Sequence, residues 1–251
     1  MDSTLTRTEP KKKRRFFTEA VSNFAIVLML ATLCLVGFGG SGAYDTVFSA
    51  GGENSPIYRG ETSRGEVALM INVYQGNEYL EEMLDILSEY GARCTFFVGG
   101  CWADDNNALV ARIVEEGHEI GNHGYFHKDH KQLSYSQNRS EIVATNDLLK
   151  AMTGKTPVLF APPSGSYGKD ALKVCGDLGM KVIMWSRDTI DWRDKNTDLI
   201  YKRATDKVEA GEMILAHPTF NTAQALPSIL GYYKEHGLTA VTVSQIISKT
   251  V

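Results

Sequence analysis

Cysteine is scarce in this chain of 251 residues, which holds four, and no two of them form a Cys-x-x-Cys pair. Structural zinc sites and dithiol redox centres use that spacing, so the cysteines predict neither. Three of them, Cys94, Cys101 and Cys175, lie beyond the N-terminal region, where an odd number allows at most one disulfide. Cys94 and Cys101 flank a strand-like run that would hold them too far apart to bond. All three are predicted to be small buried side chains.

A surplus of positive charge is also missing from most of the chain. Residues 1–43 hold six Lys or Arg and three Asp or Glu, which leaves 20 and 27 in residues 44–251 and a formal net charge of about −7. A nucleic-acid-binding protein needs a basic face. The charge balance therefore predicts no nucleic-acid partner.

Only the N-terminal region has a long hydrophobic run. Residues 24–38 are apolar except for Thr32 and Gly37, and extending the run back to residue 16 gives about 23 residues, enough to span a bilayer. Five basic residues at 11–15 precede it and place the N-terminus in the cytoplasm. We expect a cytoplasmic tail at 1–15, a single-pass transmembrane anchor at 16–40, a linker at 41–65 and an extracytoplasmic domain at 66–251. Small residues at 39–43 leave a cleaved signal peptide as the alternative, which we consider less favoured.

Strand-like and helical segments alternate about seven times after residue 65. Strands are predicted at 66–72, 93–98, 118–122, 158–161, 181–186, 213–216 and 240–243, and helices at 77–90, 104–116, 134–152, 169–178, 199–210, 223–235 and from a cap at Ser244 onward. This order predicts parallel strands joined by crossover helices. No Gly-x-Gly-x-x-Gly follows the first strand, which disfavours a dinucleotide-binding sheet. A (β/α) barrel of about seven strands fits better.

Polar residues collect directly after the predicted strands. They are Asn72, His123, His127, Pro162, Asp188, Asp191 and His217. In (β/α) barrels the chemistry takes place at the C-terminal ends of the strands. The sequence therefore predicts that these residues converge on one site.

Four of the six histidines fall between Gly117 and His130. His123 and His127 are four residues apart, with Gly124 between them to permit a close turn. Neutral imidazoles at this spacing can occupy two positions on one divalent metal ion. A polar surface loop is the alternative interpretation of the histidines alone.

Six short segments carry a resemblance to a known family. They are CTFFVGG at 94–100, GHEIGNH at 117–123, His-x-x-x-His at 123–127, FAPPSG at 160–165, WSRDTIDW at 185–192 and ILAH at 214–217. Over residues 66–248 the chain resembles the NodB-homology polysaccharide deacetylases, carbohydrate esterase family 4. The turn GNEY at 76–79 is similar to the sporulation-type branch. The resemblance implies a deformed (β/α) barrel and metal-dependent removal of acetyl groups from an amino-sugar polysaccharide such as peptidoglycan or a chitin-like polymer.

The resemblance also implies roles for individual residues. His123 and His127 match the metal ligands, and His217 matches a catalytic acid whose basicity Asp191 raises. The predicted substrate contacts are Trp192 and Leu215, which match opposite walls of the acetyl pocket, and Pro162 and Pro163 of the third motif. One divalent ion is implied. Zinc suits two histidines and an oxygen best, although cobalt, nickel, manganese and iron tolerate the same set.

Three positions depart from the family pattern. Asn72 stands where the family has its aspartate base, and an amide has no useful basicity. Val73 stands where the family has a metal-binding aspartate, and Ala161 replaces the arginine that orients the base. These changes concern one interaction, which indicates a changed or lost mechanism.

Other carboxylates could substitute for the missing aspartates. Glu78 is the nearest one and is our candidate third ligand or base, although an acidic residue at a helix N-terminus also simply compensates the helix dipole. Asp129 and Asp188 are further candidates.

The sequence leaves three functions open. A membrane-anchored, metal-dependent hydrolase is favoured by the four retained residues His123, His127, Asp191 and His217. A catalytically impaired relative that binds cell-wall glycan through the same groove is favoured by Asn72 and Ala161. A structural scaffold in a spore or envelope assembly depends on the predicted anchor alone.

Overall fold

The computed structural model describes residues 55–61 and 64–248. The predicted basic tail and the transmembrane anchor at 16–40 lie outside the described residues. Within the part that is described, no helix is both long enough and apolar enough to cross a membrane. The described residues belong to one compact unit.

Eight short strands form one sheet in which every pairing between strands is parallel. They are β1 (Glu66–Val73), β2 (Thr95–Val98), β3 (Glu119–Asn122), β4 (Leu159–Phe160), β5 (Lys181–Val182), β6 (Arg187–Asp188), β7 (Met213–Ala216) and β8 (Thr239–Val241). Seven of them follow the order β5-β4-β3-β2-β1-β7-β6, and β8 pairs with β1. The predicted α/β class with about seven parallel strands is confirmed.

Helices connect the strands and cover the outer face of the sheet, except the last helix, which packs against the inner face. They are α1 (Asn77–Glu89), α2 (Gly100–Asp105), α3 (Asn107–Glu115), α4 (Tyr135–Thr153), α5 (Lys169–Asp177), α6 (Thr197–Thr205), α7 (Phe220–Glu235) and α8 (Val243–Ile247). The capping box predicted at Ser134 is present: Ser134 Oγ accepts a hydrogen bond from the backbone of Gln137, whose side chain accepts one from the backbone of Ser134. This cap fixes the start of α4, the helix that packs behind the histidine loop.

Three predicted elements differ in detail. The helix expected at 104–116 is two helices, because Asn106 adopts φ −129° and interrupts it. The strand expected at 181–186 forms only at its first two residues, β5. The next strand, β6, begins just beyond the predicted run and lies at the opposite edge of the sheet. The last helix is capped by Thr242 rather than by Ser244, which lies inside it.

Part of the predicted linker belongs to the sheet. Ile57 donates its N–H to the carbonyl of Val182 and accepts from the N–H of Met184, both at 2.8 Å. Three residues later, the N–H of Gly60 donates to Gly211 O at 2.8 Å. Residues 55–61 therefore join β5, at one edge of the sheet, to the chain that enters β7.

The alternation of side chains along β1 separates two apolar regions. Odd-numbered residues from Val67 to Val73 belong to the large cluster that includes the helices. Ala68 and Met70 belong instead to the cluster inside the curved sheet, beside Phe97. Successive side chains of a strand point to opposite faces. Position 72 therefore faces inward and position 73 faces the helices.

Candidate functional site

A cavity of about 1060 Å³ opens at the C-terminal ends of the strands. Eight of the residues predicted for the site line this cavity. They are Asn72, His123, His127, Asp188, Asp191, Trp192, Leu215 and His217. The convergence predicted from the sequence is therefore present. Parallel strands produce it, because all of them end at the same side of the sheet.

Other predicted site residues do not line the cavity. Glu78 is exposed at the start of α1, and Asp129 is exposed and accepts a hydrogen bond from Ser166 Oγ at 2.5 Å. Pro162 and Pro163 are buried, and Ser164 lines the cavity in their place. Glu78 was placed near the metal by its closeness in sequence, but the turn after β1 carries it out to the surface. The prolines pack behind the site rather than against a ligand.

His123 and His127 lie side by side, with ring centroids 5.1 Å apart. Ala161 contributes only its carbonyl, which lies 2.7 Å from His123 Nδ1. A carbonyl can only accept, so Nδ1 carries the proton and Nε2 keeps its lone pair. Burial lowers the pKa of His123 to about 3 and also lowers the pKa of His127. Both imidazoles are therefore neutral at neutral pH.

Backbone geometry places the second histidine. Gly124 has φ +73°, and His127 itself lies in the left-handed region with φ +52°. A non-glycine residue seldom adopts this conformation, and the surrounding contacts must hold it. The ring of Tyr74 supplies one such contact, with its centroid 4.8 Å from that of His127.

Glu141 on α4 holds the backbone between the two histidines. Its Oε2 accepts hydrogen bonds from the N–H groups of Tyr125 at 3.0 Å and Phe126 at 2.8 Å, and its Oε1 lies 2.8 Å from Lys128 Nζ. Burial opposes ionisation of this carboxyl, but Lys128 and the two N–H groups outweigh it and lower the pKa of Glu141. A buried carboxylate on α4 thus fixes the loop.

Two asparagines of α4 complete this support. Asn138 Oδ1 lies 2.7 Å from His130 Nδ1, and the Asn138 amide donates to three backbone carbonyls around the start of α4. Asn146 Oδ1 accepts from Asn122 Nδ2 at 2.8 Å, and Asn122 Oδ1 in turn accepts from the N–H of Gly124 at 2.8 Å. His130 therefore orients the loop rather than lining the cavity.

A separate histidine–aspartate pair faces the histidine loop. His217 Nδ1 lies 2.7 Å from Asp191 Oδ1, and the backbone N–H of His217 donates to Asp191 Oδ2 at 2.6 Å. Thr222 Oγ1 also donates to Asp191 Oδ2, at 2.6 Å. The carboxylate is fully buried, whereas 27% of the His217 side chain is exposed. This arrangement fixes the tautomer of His217 and leaves Nε2 free to exchange a proton.

The turn that carries Asp191 is strained. Ile190 has φ +54°, a conformation that is rare for a β-branched residue. Its N–H donates to Asp188 Oδ1 at 2.7 Å. The turn places Asp188, Asp191 and Trp192 on the cavity in five consecutive residues.

The departures at Asn72 and Val73 have different structural settings. Asn72 lines the cavity and is 5% exposed, and its Oδ1, which is itself buried, has no hydrogen-bond partner among the described residues. Leaving a buried acceptor unsatisfied costs about 1 to 3 kcal/mol. Val73 is fully buried in the cluster on the helix side. Neither position offers a carboxylate to the cavity.

The donor atoms do not fit a resident zinc ion. Zinc in catalytic sites has three protein ligands, and His123 and His127 provide two. At position 72 the cavity has only the neutral amide of Asn72, which is a weak ligand. Within residues 55–61 and 64–248 no three His, Cys, Asp or Glu side chains form a group that could hold a metal ion. The single-metal centre implied by the resemblance is therefore incomplete.

Several residues of the cavity were not predicted. They are Tyr74, Gln75, Tyr79, Ser164, Trp185, Lys195, Pro218, Thr219, Phe220 and Asn221. Tyr74 and Phe220 stand only two and three residues beyond Asn72 and His217, so their position after a strand end was an available signal. Trp185 begins the segment 185–192 that carries the resemblance, which was an available signal, whereas Lys195 gave none.

Cys94, Cys101 and Cys175 are free, and the prediction that all three are buried is wrong for Cys101. Cys94 and Cys175 are buried, whereas Cys101 is only partly buried. Burial raises the pKa of Cys94 and raises that of Cys175 to about 12, so both are unreactive thiols at neutral pH.

A half-barrel of parallel strands gathers a histidine pair and a separate histidine–aspartate pair around one cavity, as the resemblance to polysaccharide deacetylases implies. The family model for polysaccharide deacetylases matches residues 59–183. The chain belongs to this family, a family of hydrolases. The His217–Asp191 pair lies beyond the matched segment, so the structure adds the second half of the site.

Relatives include both deacetylases and a pseudoenzyme. A peptidoglycan-N-acetylglucosamine deacetylase from Bacillus cereus is 32% identical over 180 residues, which cover 67% of this chain and 82% of that protein. The uncharacterised protein YlxY from Bacillus subtilis is 38% identical over 195 residues, covering 78% of this chain and 61% of that protein. The chain thus spans about three fifths of that relative's length.

A solved structure of a CE4 family pseudoenzyme from Bacillus anthracis is also similar. It superposes with a TM-score of 0.74 at 37% identity, over 77% of this chain and 69% of that chain. A mutant of the same protein, described as having restored enzymatic activity, superposes with a TM-score of 0.75 at 36% identity, over 77% of this chain and 71% of that one.

Replacing Glu141 by Gln should destabilise the histidine loop. The substitution removes the negative charge that Lys128 and two backbone N–H groups contact. It should therefore lower the free energy of unfolding, measured by urea titration, by about 1 to 3 kcal/mol. Glu115→Gln, at an exposed position of α3, is the matched control and should change it by less than about 0.5 kcal/mol. Equal values for the two variants would contradict this role of Glu141.

His118 should make the protein less stable in acid. Burial, followed by the nearby Arg93, lowers the pKa of His118 to about 4. As the pH is lowered, the His118 imidazole of the unfolded chain binds a proton at a higher pH than that of the folded protein. The free energy of unfolding therefore has its full value above about pH 6.5 and falls by about 2 to 3 kcal/mol as the pH approaches 4. His118→Gln should flatten unfolding free energy against pH in this window. His236→Gln, at an exposed site, should leave the pH dependence as it is. A wild-type slope in His118→Gln would refute the assignment.

Proposed function

We propose that the protein binds N-acetylated cell-wall glycan, peptidoglycan or a chitin-like polymer, in the deacetylase cavity and hydrolyses its acetyl groups only slowly. Asn72 on the cavity floor carries this proposal. A positioned general base contributes about 10²- to 10⁴-fold to a hydrolytic rate. The amide of Asn72 cannot accept a proton from water. The similarity to a pseudoenzyme as well as to deacetylases supports an impaired member.

The parts of the site that serve binding and protonation are retained. To His217, whose ring is held by Asp191, we assign the transfer of a proton to the leaving amine. The predicted acetyl-pocket walls, Trp192 and Leu215, both line the cavity. Trp192 is 60% exposed and Phe220 is 54% exposed at its mouth, which gives a sugar chain aromatic faces to lie against.

Asp188 supports a second candidate, an active hydrolase with a displaced base. It is the one predicted substitute carboxylate that lines the cavity, and it is only partly buried. One of its oxygens already accepts from the Ile190 N–H at 2.7 Å, but the other remains available to orient water.

The rate of acetyl-group hydrolysis can be measured as the release of acetate from N-acetylated chitooligosaccharides and from peptidoglycan, with added zinc. Asn72→Asp places a carboxylate beside the two histidines and should raise the rate by about 10² or more. Asn107→Asp makes the same change on an exposed surface and should leave the rate at the wild-type level. His217→Ala in the Asn72→Asp background should remove the gain.

The wild-type rate separates the candidates. A wild-type rate equal to that of Asn72→Asp would reject the impaired-base proposal. If Asp188→Asn then abolished the wild-type rate, the displaced-base hydrolase would stand instead. Failure of wild-type protein to bind either glycan in equilibrium assays would reject both.

We also propose that the protein is anchored in the cell membrane through residues 16–40, with its C-terminal domain outside the cytoplasm. The basic run before the apolar segment supports this orientation. In cell fractionation the chain should sediment with membranes, and protease added to spheroplasts should digest the domain. A protein recovered in the soluble fraction and protected from protease would contradict the anchor.

A further inference from the structure

Residues 55–61, which we call the strap, cross the gap that the sheet leaves between its two ends. β5 and β6 are the end strands in the order of the described sheet and do not pair with each other. On one side of the gap, the backbone of Ile57 makes hydrogen bonds of 2.8 Å to Val182 and Met184. On the other side, the N–H of Gly60 donates to the chain that enters β7, also at 2.8 Å. The strap therefore closes the half-barrel.

The strap fits closely against the last helix at Gly60. A Cβ atom at this position would lie 2.7 Å from Ile246 Cγ1 and 2.8 Å from Ile246 O. Only glycine permits such a close approach of the backbone. Arg59 adds an ion pair, with Nη2 2.9 Å from Glu209 Oε2, but this pair is exposed and contributes little. Close packing and backbone hydrogen bonds therefore hold the strap, so a single methyl group at position 60 should loosen it.

One wall of the cavity lies directly beside the strap. Trp185, which lines the cavity, follows Met184, whose N–H donates to Ile57 O. The Trp185 ring packs on Gly165, where a Cβ atom would lie 2.7 Å from the ring. Ser164, the neighbour of Gly165, also lines the cavity. The strap therefore holds the strand end that places Trp185 against Ser164 and Gly165.

A second contact of the strap supports the same wall. Tyr58 Oη lies 2.9 Å from Tyr167 Oη, so one hydroxyl donates to the other. Tyr167 stands three residues after Ser164, in the same loop. Ser164 has φ +54°, a conformation that a non-glycine residue keeps only when its surroundings hold it. Both segments of the wall, the loop of Ser164 and the strand end before Trp185, are thus in contact with the strap.

We propose that the strap is a positioning element for glycan binding, because its docking keeps Trp185 and Ser164 in the arrangement that receives the sugar chain. None of the residues 55–61 lines the cavity, so the strap acts through these two residues. Trp185 offers an aromatic face to a sugar ring. Coupling between two sites is reciprocal, so a docked strap tightens glycan binding and bound glycan stabilises the docked strap. The inference rests on the proposed glycan binding and adds a segment outside the cavity that controls it.

Hydrogen exchange of the Met184 amide in the purified full-length chain tests the coupling. This N–H bonds to the strap, so its exchange rate, followed by NMR, reports how often the strap undocks. Saturating tetra-N-acetylchitotetraose, or a soluble peptidoglycan fragment, should slow the exchange about fivefold or more. The Gly154 amide bonds to Lys150 O within α4 and is the reference, whose exchange the glycan should leave unchanged.

A matched pair of variants tests the reverse direction. Gly60→Ala places a methyl group against Ile246 without touching the cavity. It should speed exchange of the Met184 amide and raise the Kd for the glycan about fivefold. Gly231→Ala on α7 is the control, because a Cβ atom there meets no atom within 4 Å, and it should change neither value. Circular dichroism verifies that both variants fold, and a loss of overall stability alone does not raise the Kd of a protein that stays folded.

The outcomes separate this inference from the proposed function. Faster Met184 exchange in Gly60→Ala together with a wild-type Kd would make the strap a structural element only and would overturn the inference. Glycan that binds the wild-type protein without slowing Met184 exchange would also overturn it and leave the glycan binding intact. This second comparison needs no variant, so it decides the matter even if Gly60→Ala fails to fold. No binding of either probe rejects the proposed function and the inference together.

Discussion

The alternation of side chains along β1 between the two faces of the sheet is the constraint on which the site depends. This strand is paired with β2, β7 and β8, so its register cannot shift by one residue without moving its apolar side chains to the wrong face. Position 72 consequently faces the cavity and position 73 faces the helices. Where the resemblance implies two adjacent aspartates, this chain has Asn72 facing the cavity and the apolar Val73 facing the helices.

The two halves of the cavity have changed to different degrees. On one side, α4 holds the histidine loop through the buried side chains Asn138, Glu141 and Asn146, and Asp191 holds His217 through two hydrogen bonds. On the other, the carboxylates of β1 and the arginine expected at position 161 are gone. The histidine loop and the His217–Asp191 pair are thus intact, whereas no carboxylate stands at position 72 or 73. An arginine at position 161 would have no aspartate to pair with, which accounts for the joint loss.

Most secondary structure was predictable because local signals agreed with the tertiary fold. The capping box at Ser134 and the apolar residues of α1 at helical spacing gave their elements almost to the residue. The errors arose where tertiary pairing overrode the local pattern. The run 181–186 looks like one strand, yet only its first two residues form β5, which pairs with β4. The strand that follows the run, β6, pairs with β7 at the other edge of the sheet. Glu78 was proposed from nearness in sequence, but the turn at Gly76, with φ +90°, directs it to the surface.

The sequence by itself determined the strand–helix alternation, the family, the histidine pair, the histidine–aspartate pair and the loss of the first aspartate, because each is written in residue types at fixed spacing. Only the tertiary structure decided which side chains share the cavity. It also showed that Tyr74 packs on His127, that Asn72 Oδ1 has no partner and that Val73 faces the helices. These facts depend on strand parity and on contacts between distant segments, which residue spacing along the chain does not specify.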